Sequence, residues 1–356
     1  MVFSIVFYNC LLFFSTLTAY LVRVLNQKAI RNIILIISFL TLLIPASLRY
    51  GIGTDYFNYE NIFIRISDGI EDVETEPFYW GINYFVALFG GGFQWVVAIT
   101  SFLFIFFIYC SFNYKNLVLG VFFSVLIMYS DSFNTIRQIL AVAISLYGTS
   151  LLLSNKNYGL LAFFCLIIFG TMFHSSCVFG LVIPILMRVK IPRNVGIAML
   201  LGIWFLAPIL VSHIFDFPLL ALTSYGNYAN ELDYSASAKL GSGLGLVIQI
   251  IPSIIILVFS KSIFEKHKNS NFYINSAWFF IVIKIMAVYL VILYRFVDYF
   301  DFMYVLLMVE ICRLYAKSWL NLFVASFCIL LNLMFFELNL INNMNEIVPY
   351  KMFDLF

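Results

Sequence analysis

Three stretches of this sequence gather side chains that handle anions and protons. The first reads Arg49-Tyr50-Gly51-Ile52-Gly53-Thr54-Asp55-Tyr56-Phe57-Asn58-Tyr59, directly after an apolar run. Arginine offers a planar fork that matches phosphate oxygens, paired glycines let the backbone turn and approach a ligand, and tyrosines give flat faces for sugar rings. The ordinary alternative is a helix-exit turn in an interfacial aromatic belt. The second is Asn134-Thr135-Ile136-Arg137-Gln138. Ser132 or Asn134 can cap a helix here, and the unpaired N–H groups of a helix start, with Arg137 one turn in, make an anion site. Arginine inside a membrane segment is costly and so points to function, against snorkelling or a pair with Asp131. The third, His174-Ser175-Ser176, puts a proton acceptor for near-neutral pH at another helix start, although a lone histidine is more often structural.

Weaker groups lie further on. Arg295, Asp298 and Tyr299 fall at i, i+3 and i+4, which an intrahelical ion pair also explains. Lys284 and Glu310, in consecutive apolar spans, read as a structural pair. The segment Gly241-Ser242-Gly243-Leu244-Gly245 lacks the lysine and preceding strand of a phosphate loop and reads as a flexible helix entry.

These groups must be positioned inside lipid. The 356 residues are 63% hydrophobic and 11% charged, with mean hydropathy +1.00, which excludes a water-soluble fold. Apolar runs near the roughly 20 residues a spanning helix needs recur throughout. They fall at about 2–22, 33–48, 92–112, 117–130, 136–153, 158–173, 175–187, 195–214, 244–260, 273–293, 297–315 and 319–341. The expectation is an all-α polytopic membrane protein of about a dozen spans; a β-barrel would instead alternate in short segments. Residues 1–356 read as a single integral membrane domain. Its first run lacks the basic start and cleavage site of a signal peptide and reads as a retained helix. A dispersed net charge of +2 gives no basic stripe for nucleic acid. The cysteines show no CxxC spacing and read as packing residues, with neither a disulfide framework nor a metal site.

Basic residues accumulate in cytoplasmic loops. Arg23, Lys28 and Arg31; Lys115; Lys156; Arg188, Lys190 and Arg193; Lys261, Lys266 and Lys268; and Arg313 with Lys317 all fall on one side under one assignment. The opposite, outer side receives two larger loops, 49–76 and 216–243, together with Asn134, His174, Arg295 and both termini. This parity requires the stretch from Pro77 to Phe89 to be interfacial or re-entrant. Most acids of the first loop form one run after Ser67, read as a solvated surface, whereas Asp55 sits beside the paired glycines.

In order and spacing, the motifs at 49–56, 134–138 and 174–176 and Arg295 before Tyr299-Phe300 resemble the EpsG branch of the Wzy-type polysaccharide polymerases. Glu76-Pro77, the loop from Tyr225 to Gly243 and the closing Pro349-Tyr350 are similar too. The resemblance implies a GT-C-like helical bundle that joins undecaprenyl-diphosphate-linked oligosaccharide repeats at the outer face of a bacterial plasma membrane. It needs no cofactor, and a chain-length regulator and a flippase are possible partners. The expected diphosphate-binding residues are Arg49, Arg137, Arg295 and Gln138. His174 or Asp55 is the expected general base, and Tyr50, Gly51, Gly53, Tyr56, Asn134, Tyr225 and Tyr299 the expected substrate contacts. A glycan ligase and a lipid-glycan flippase are the rivals. A membrane O-acyltransferase is disfavoured, since its histidine would meet a cytoplasmic donor.

Overall fold

The computed structural model describes residues 1–70, 73–154, 156–212, 244–264, 267–288, 297–314 and 318–353. Among the described residues the protein is all-α, 80% helical with no strands. The only β-type pairing among the described residues is an isolated antiparallel bridge between Arg49 and Met352. Among the described residues six helices are long and apolar enough to cross a membrane: Val2–Val24 (α1), Lys28–Leu48 (α2), Phe93–Ser111 (α5), Ile136–Leu153 (α8), the helix Leu244–Ile263 (α12), and Trp319–Ile341 (α15). The other helices are Tyr56–Ser67 (α3), Pro77–Leu88 (α4), Leu117–Ser124 (α6), Asp131–Asn134 (α7), Gly159–Thr171 (α9), Ile183–Arg188 (α10), Arg193–Ser212 (α11), Ser270–Ala287 (α13) and Asp301–Arg313 (α14).

The chain forms two compact units. The first comprises Met1–Leu181, Met308–Arg313 and Phe336–Phe356, the second Val182–Leu307 and Leu314–Phe335. In the first unit, α1 buries Ser4, Tyr8, Leu11, Ser15, Ala19 and Val22, a stripe at helical spacing. Its small members let backbones approach closely, which is how apolar helices pack without a hydrophobic drive between them. Ser38 on α2 accordingly reaches Ser15 O at 3.5 Å. Helix α8 is buried continuously from Gln138 to Leu146, as expected of a helix apolar on every side.

Helix α4 bears on how the stretch from Pro77 to Phe89 runs. Its 12 residues extend about 18 Å, short of a bilayer's ~30 Å core. Phe78 N donates to Met172 O (3.0 Å) at its start, and Gly90 and Gly91 return the chain to α5 at its end, where Gln94 bonds Arg49 O (3.1 Å). Both ends of α4 therefore lie at the Arg49 end of the helices.

The expected spans at 117–130 and 175–187 are among those that are not continuous α-helices. The run at 117–130 continues from α6 into a π turn, Val125–Tyr129. The run at 175–187 begins as a 3₁₀ helix, Ser175–Val182, and becomes α-helical only at Ile183. Pro184 stands in the first turn of α10 and has no N–H to give to a preceding helical turn. Within the second unit, Asn275 donates to Leu186 O (2.8 Å) and Val189 O (2.7 Å), tying α13 to the end of α10.

Candidate active site

The site begins with the end of α2, whose last four carbonyls have no partner in their own helix. Three separate segments supply donors. Tyr350 Oη donates to Pro45 O (2.9 Å), Arg49 Nη1 to Ala46 O (2.6 Å), Gln94 Nε2 to Ser47 O, and Phe353 N to Leu48 O (2.7 Å). Arg49 is a C-cap at the negative end of the helix dipole. Its guanidinium also donates to Ser101 Oγ (3.0 Å) on α5 and to Ser132 O (3.3 Å) on α7, and Phe133 covers it at 4.8 Å. Burial is the main cause that lowers its pKa, to about 10, so it stays cationic at neutral pH. At 1% exposure it braces three helices, and its fork is not open to a phosphate in this conformation. The tail that closes this cap is held by Tyr8 Oη to Ile347 O (3.0 Å) and by Tyr350 N to Ser4 Oγ (2.9 Å). We expect Tyr350→Phe to cost about 1 kcal/mol, the usual net worth of one hydrogen bond, read as a lower midpoint of thermal unfolding in detergent.

The glycine loop packs against protein. Gly53 has φ +98°, and a Cβ there would stand 2.3 Å from Phe133 O. Asn134 does not cap α8, whose N-cap is Thr135 without a side-chain bond. Its Oδ1 instead accepts from Asp55 N (3.1 Å) and from Thr54 Oγ1, so it pins the loop. Nor does Ser132 cap α8; its hydroxyl returns to Tyr129 O (2.6 Å). Tyr56 is buried and donates to Gln94 Oε1 (3.3 Å); burial is the main cause that raises its hydroxyl to about 12, keeping it a donor. Tyr50 is 40% exposed and meets Tyr56 edge-on at 5.8 Å, which leaves ring surface open for a sugar.

The reactive cluster joins the other two motifs through a residue read from sequence as part of a solvated acidic run. Glu76 Oε2 pairs with Arg137 Nη1 at 2.5 Å, and Glu76 Oε1 accepts from Ser175 N (3.4 Å). Arg137 Nη1 also donates to Thr75 Oγ1 (3.0 Å), and its guanidinium lies 5.7 Å from the rings of both Tyr59 and Tyr79. Its side chain is 24% exposed, so unlike Arg49 it can be reached by a ligand. Its Nε is buried with no acceptor among the described residues. His174 Nδ1 lies 2.7 Å from Ser176 Oγ and accepts from Ser176 N (3.3 Å). With Nδ1 accepting a backbone N–H, the neutral ring carries its proton on Nε2.

Not every expected residue joins this cluster. Gln138 is buried in the first turns of α8. Tyr299 belongs to the second unit, where it is fully buried with Phe300 and Phe302. Arg295, Tyr225 and the loop 216–243 lie outside the described residues. Glu310 pairs with Arg313 at 2.6 Å, and Lys284 stands over the Phe280 ring at 5.2 Å. Glu76, Gln94 and Ser101 were missed as members of the site. For Glu76 a signal existed: it is the N-cap before Pro77 at the first helical position, a helix-start signature.

Apolar helices whose ends gather an arginine, a carboxylate and a histidine define a polytopic all-α membrane protein with a polar site at one end of the first unit. A family model described as the EpsG family matches residues 32–352, and the chain belongs to that family. Membership gives it a polymerase-like role in polysaccharide biosynthesis. No curated protein sequence and no solved structure matches the chain.

Proposed function

We propose that this protein is a polysaccharide polymerase that joins undecaprenyl-diphosphate-linked oligosaccharides at the outer face of a bacterial plasma membrane. In this reading residues 1–356 form one membrane-embedded domain of about a dozen spans with a GT-C-like arrangement. The loops 49–76 and 216–243 face outside, because every basic loop then falls in the cytoplasm. The acceptor sugar's hydroxyl oxygen bonds to the anomeric carbon of the donor. The bond from that carbon to the diphosphate oxygen breaks, and the polyprenyl diphosphate leaves with the electron pair.

The observation that supports this reading is Arg137, a guanidinium whose side chain is 24% exposed and whose Nη1 is fixed by Glu76 and Thr75. Negative charge grows on the diphosphate as the bond breaks, so a fixed guanidinium stabilises the transition state more than the ground state. His174 donates from Nε2 to the same diphosphate, and Asp55, at the N-cap of α3, takes the hydroxyl proton. Arg49 holds the loop that carries Asp55, while Arg295 and Gln138 add to the anion site. Tyr50, Tyr56, Tyr225, Tyr299 and Asn134, on a backbone shaped by Gly51 and Gly53, position the sugars.

Two measurements in purified protein bear on these roles. We expect turnover to survive EDTA, because Glu76, the acid nearest the anion site, is committed to Arg137 and arginine supplies the charge. Loss restored by magnesium or manganese replaces this with metal catalysis. We also expect turnover to persist as pH falls through about 6.5, where a free histidine titrates, since a donating imidazole is not disabled by a second proton. A fall through that range returns the base role to His174.

A further inference from the structure

We propose that the face of α2 and α5 remote from Arg49 binds one anionic phospholipid, its acyl chain in a groove and its phosphate on Arg31. Arg31, Leu35 and Phe39 stand at i, i+4 and i+8 on α2, one above another on the same face. Phe102, Phe106 and Tyr109 form the facing wall on α5, and the groove between them encloses about 530 Å³. Ser38 Oγ and Tyr109 Oη pair at 2.8 Å beneath it, and the Phe39 ring stands edge-on to Phe102 and to Tyr109. The polar groups of the floor are thereby matched to each other, and the open surface is hydrocarbon.

Size and charge select the occupant. From Arg31 to Phe39 the wall runs about 12 Å along the helix, most of the ~15 Å that one leaflet contributes to a bilayer's hydrocarbon core. A chain of that length brings a lipid headgroup to the Arg31 end. There the Arg31 guanidinium lies 4.6 Å over the ring of Tyr114, a residue of the groove's rim. Its Nε is buried with no acceptor, and it makes no ion pair among the described residues. Lys28, one turn earlier, and Lys115, next to Tyr114, add positive charge at the same mouth. A hydrocarbon slot ending at an unpaired guanidinium matches an acyl chain ending at a phosphate. A second helix of protein would leave that charge unanswered.

Native mass spectrometry of the full chain in neutral detergent tests this with phosphatidylglycerol and phosphatidylcholine of identical acyl chains. One basic residue near a membrane surface favours an anionic lipid by about fivefold. We expect at least that preference for phosphatidylglycerol in one bound equivalent, and its loss in Arg31→Gln. We also expect phosphatidylglycerol to slow maleimide labelling of Cys110, which lines the groove, relative to the exposed Cys10 and Cys165. Inorganic phosphate should protect nothing, since it has no chain to fill the slot. Equal binding of the two lipids by wild type overturns the proposal without any variant. So do equal protection by inorganic phosphate, or Cys110 shielded only in a dimer.

Discussion

Arg137→Lys is expected to keep the membrane protein level near wild type and lower polymerisation by about tenfold to hundredfold. A charged hydrogen bond is worth about 1.5–3 kcal/mol, and each 1.36 kcal/mol at the transition state is tenfold in rate. Lysine keeps the point charge but cannot hold Glu76 with one nitrogen and a diphosphate oxygen with another. A purely structural role for the Arg137–Glu76 pair makes a different forecast. Removing one partner of a poorly solvated pair destabilises, whereas replacing both by apolar groups is often neutral. The double variant Arg137→Met/Glu76→Met should therefore recover protein level and remain inactive if Arg137 meets the substrate. Recovery of activity with the double variant would remove Arg137 from the chemistry.

The second large effect is on folding. Gly53→Ala is expected to cost more than about 3 kcal/mol, combining the 1–3 kcal/mol of a side chain held at positive φ with a direct backbone clash. Its φ is +98° and the new Cβ would meet Phe133 O at 2.3 Å; neither backbone can yield without breaking the Asn134 bonds to Thr54 and Asp55. Gly51→Ala is the comparison. Its Cβ would meet only the Phe57 ring, at 3.3 Å, so its loss should be the smaller. Thermal unfolding of both variants in one detergent measures the difference, and equal losses would show that the Phe133 contact is not what demands glycine at 53.

The parts of this molecule legible in its sequence are those set by neighbours along the chain. Apolar runs identified the long helices because a helix in lipid satisfies its own backbone. Parity required Pro77–Phe89 to be interfacial or re-entrant, and both ends of α4 lie near residues of the Arg49 end. The site motifs at 49–56, 134–138 and 174–176 do meet, yet their roles were only partly readable. Arg49 looked like an open fork, and its burial depends on Ser101 and Ser132, 52 and 83 positions away. Glu76 looked like one more solvated acid, and its partner Arg137 lies 61 positions on. Gly53 was read as allowing close approach to a ligand, whereas what approaches it is the backbone of Phe133. Long-range pairing of this kind leaves no periodicity to read. Pro184, by contrast, is a local signal that could have shown that the run at 175–187 does not begin as an α-helix.

In the proposed reaction each glycosidic bond formed expels one polyprenyl diphosphate. The direct measurement gives purified protein in lipid vesicles a synthetic polyprenyl-diphosphate oligosaccharide as both donor and acceptor, then counts products by mass spectrometry. The account predicts a ladder of lengthened lipid-linked glycans, with one polyprenyl diphosphate released per added repeat, and no ladder with Arg137→Ala. Repeats that cross the vesicle membrane unchanged, with no diphosphate released, would contradict it and mark a transporter; repeats joined only to a different acceptor would mark a ligase.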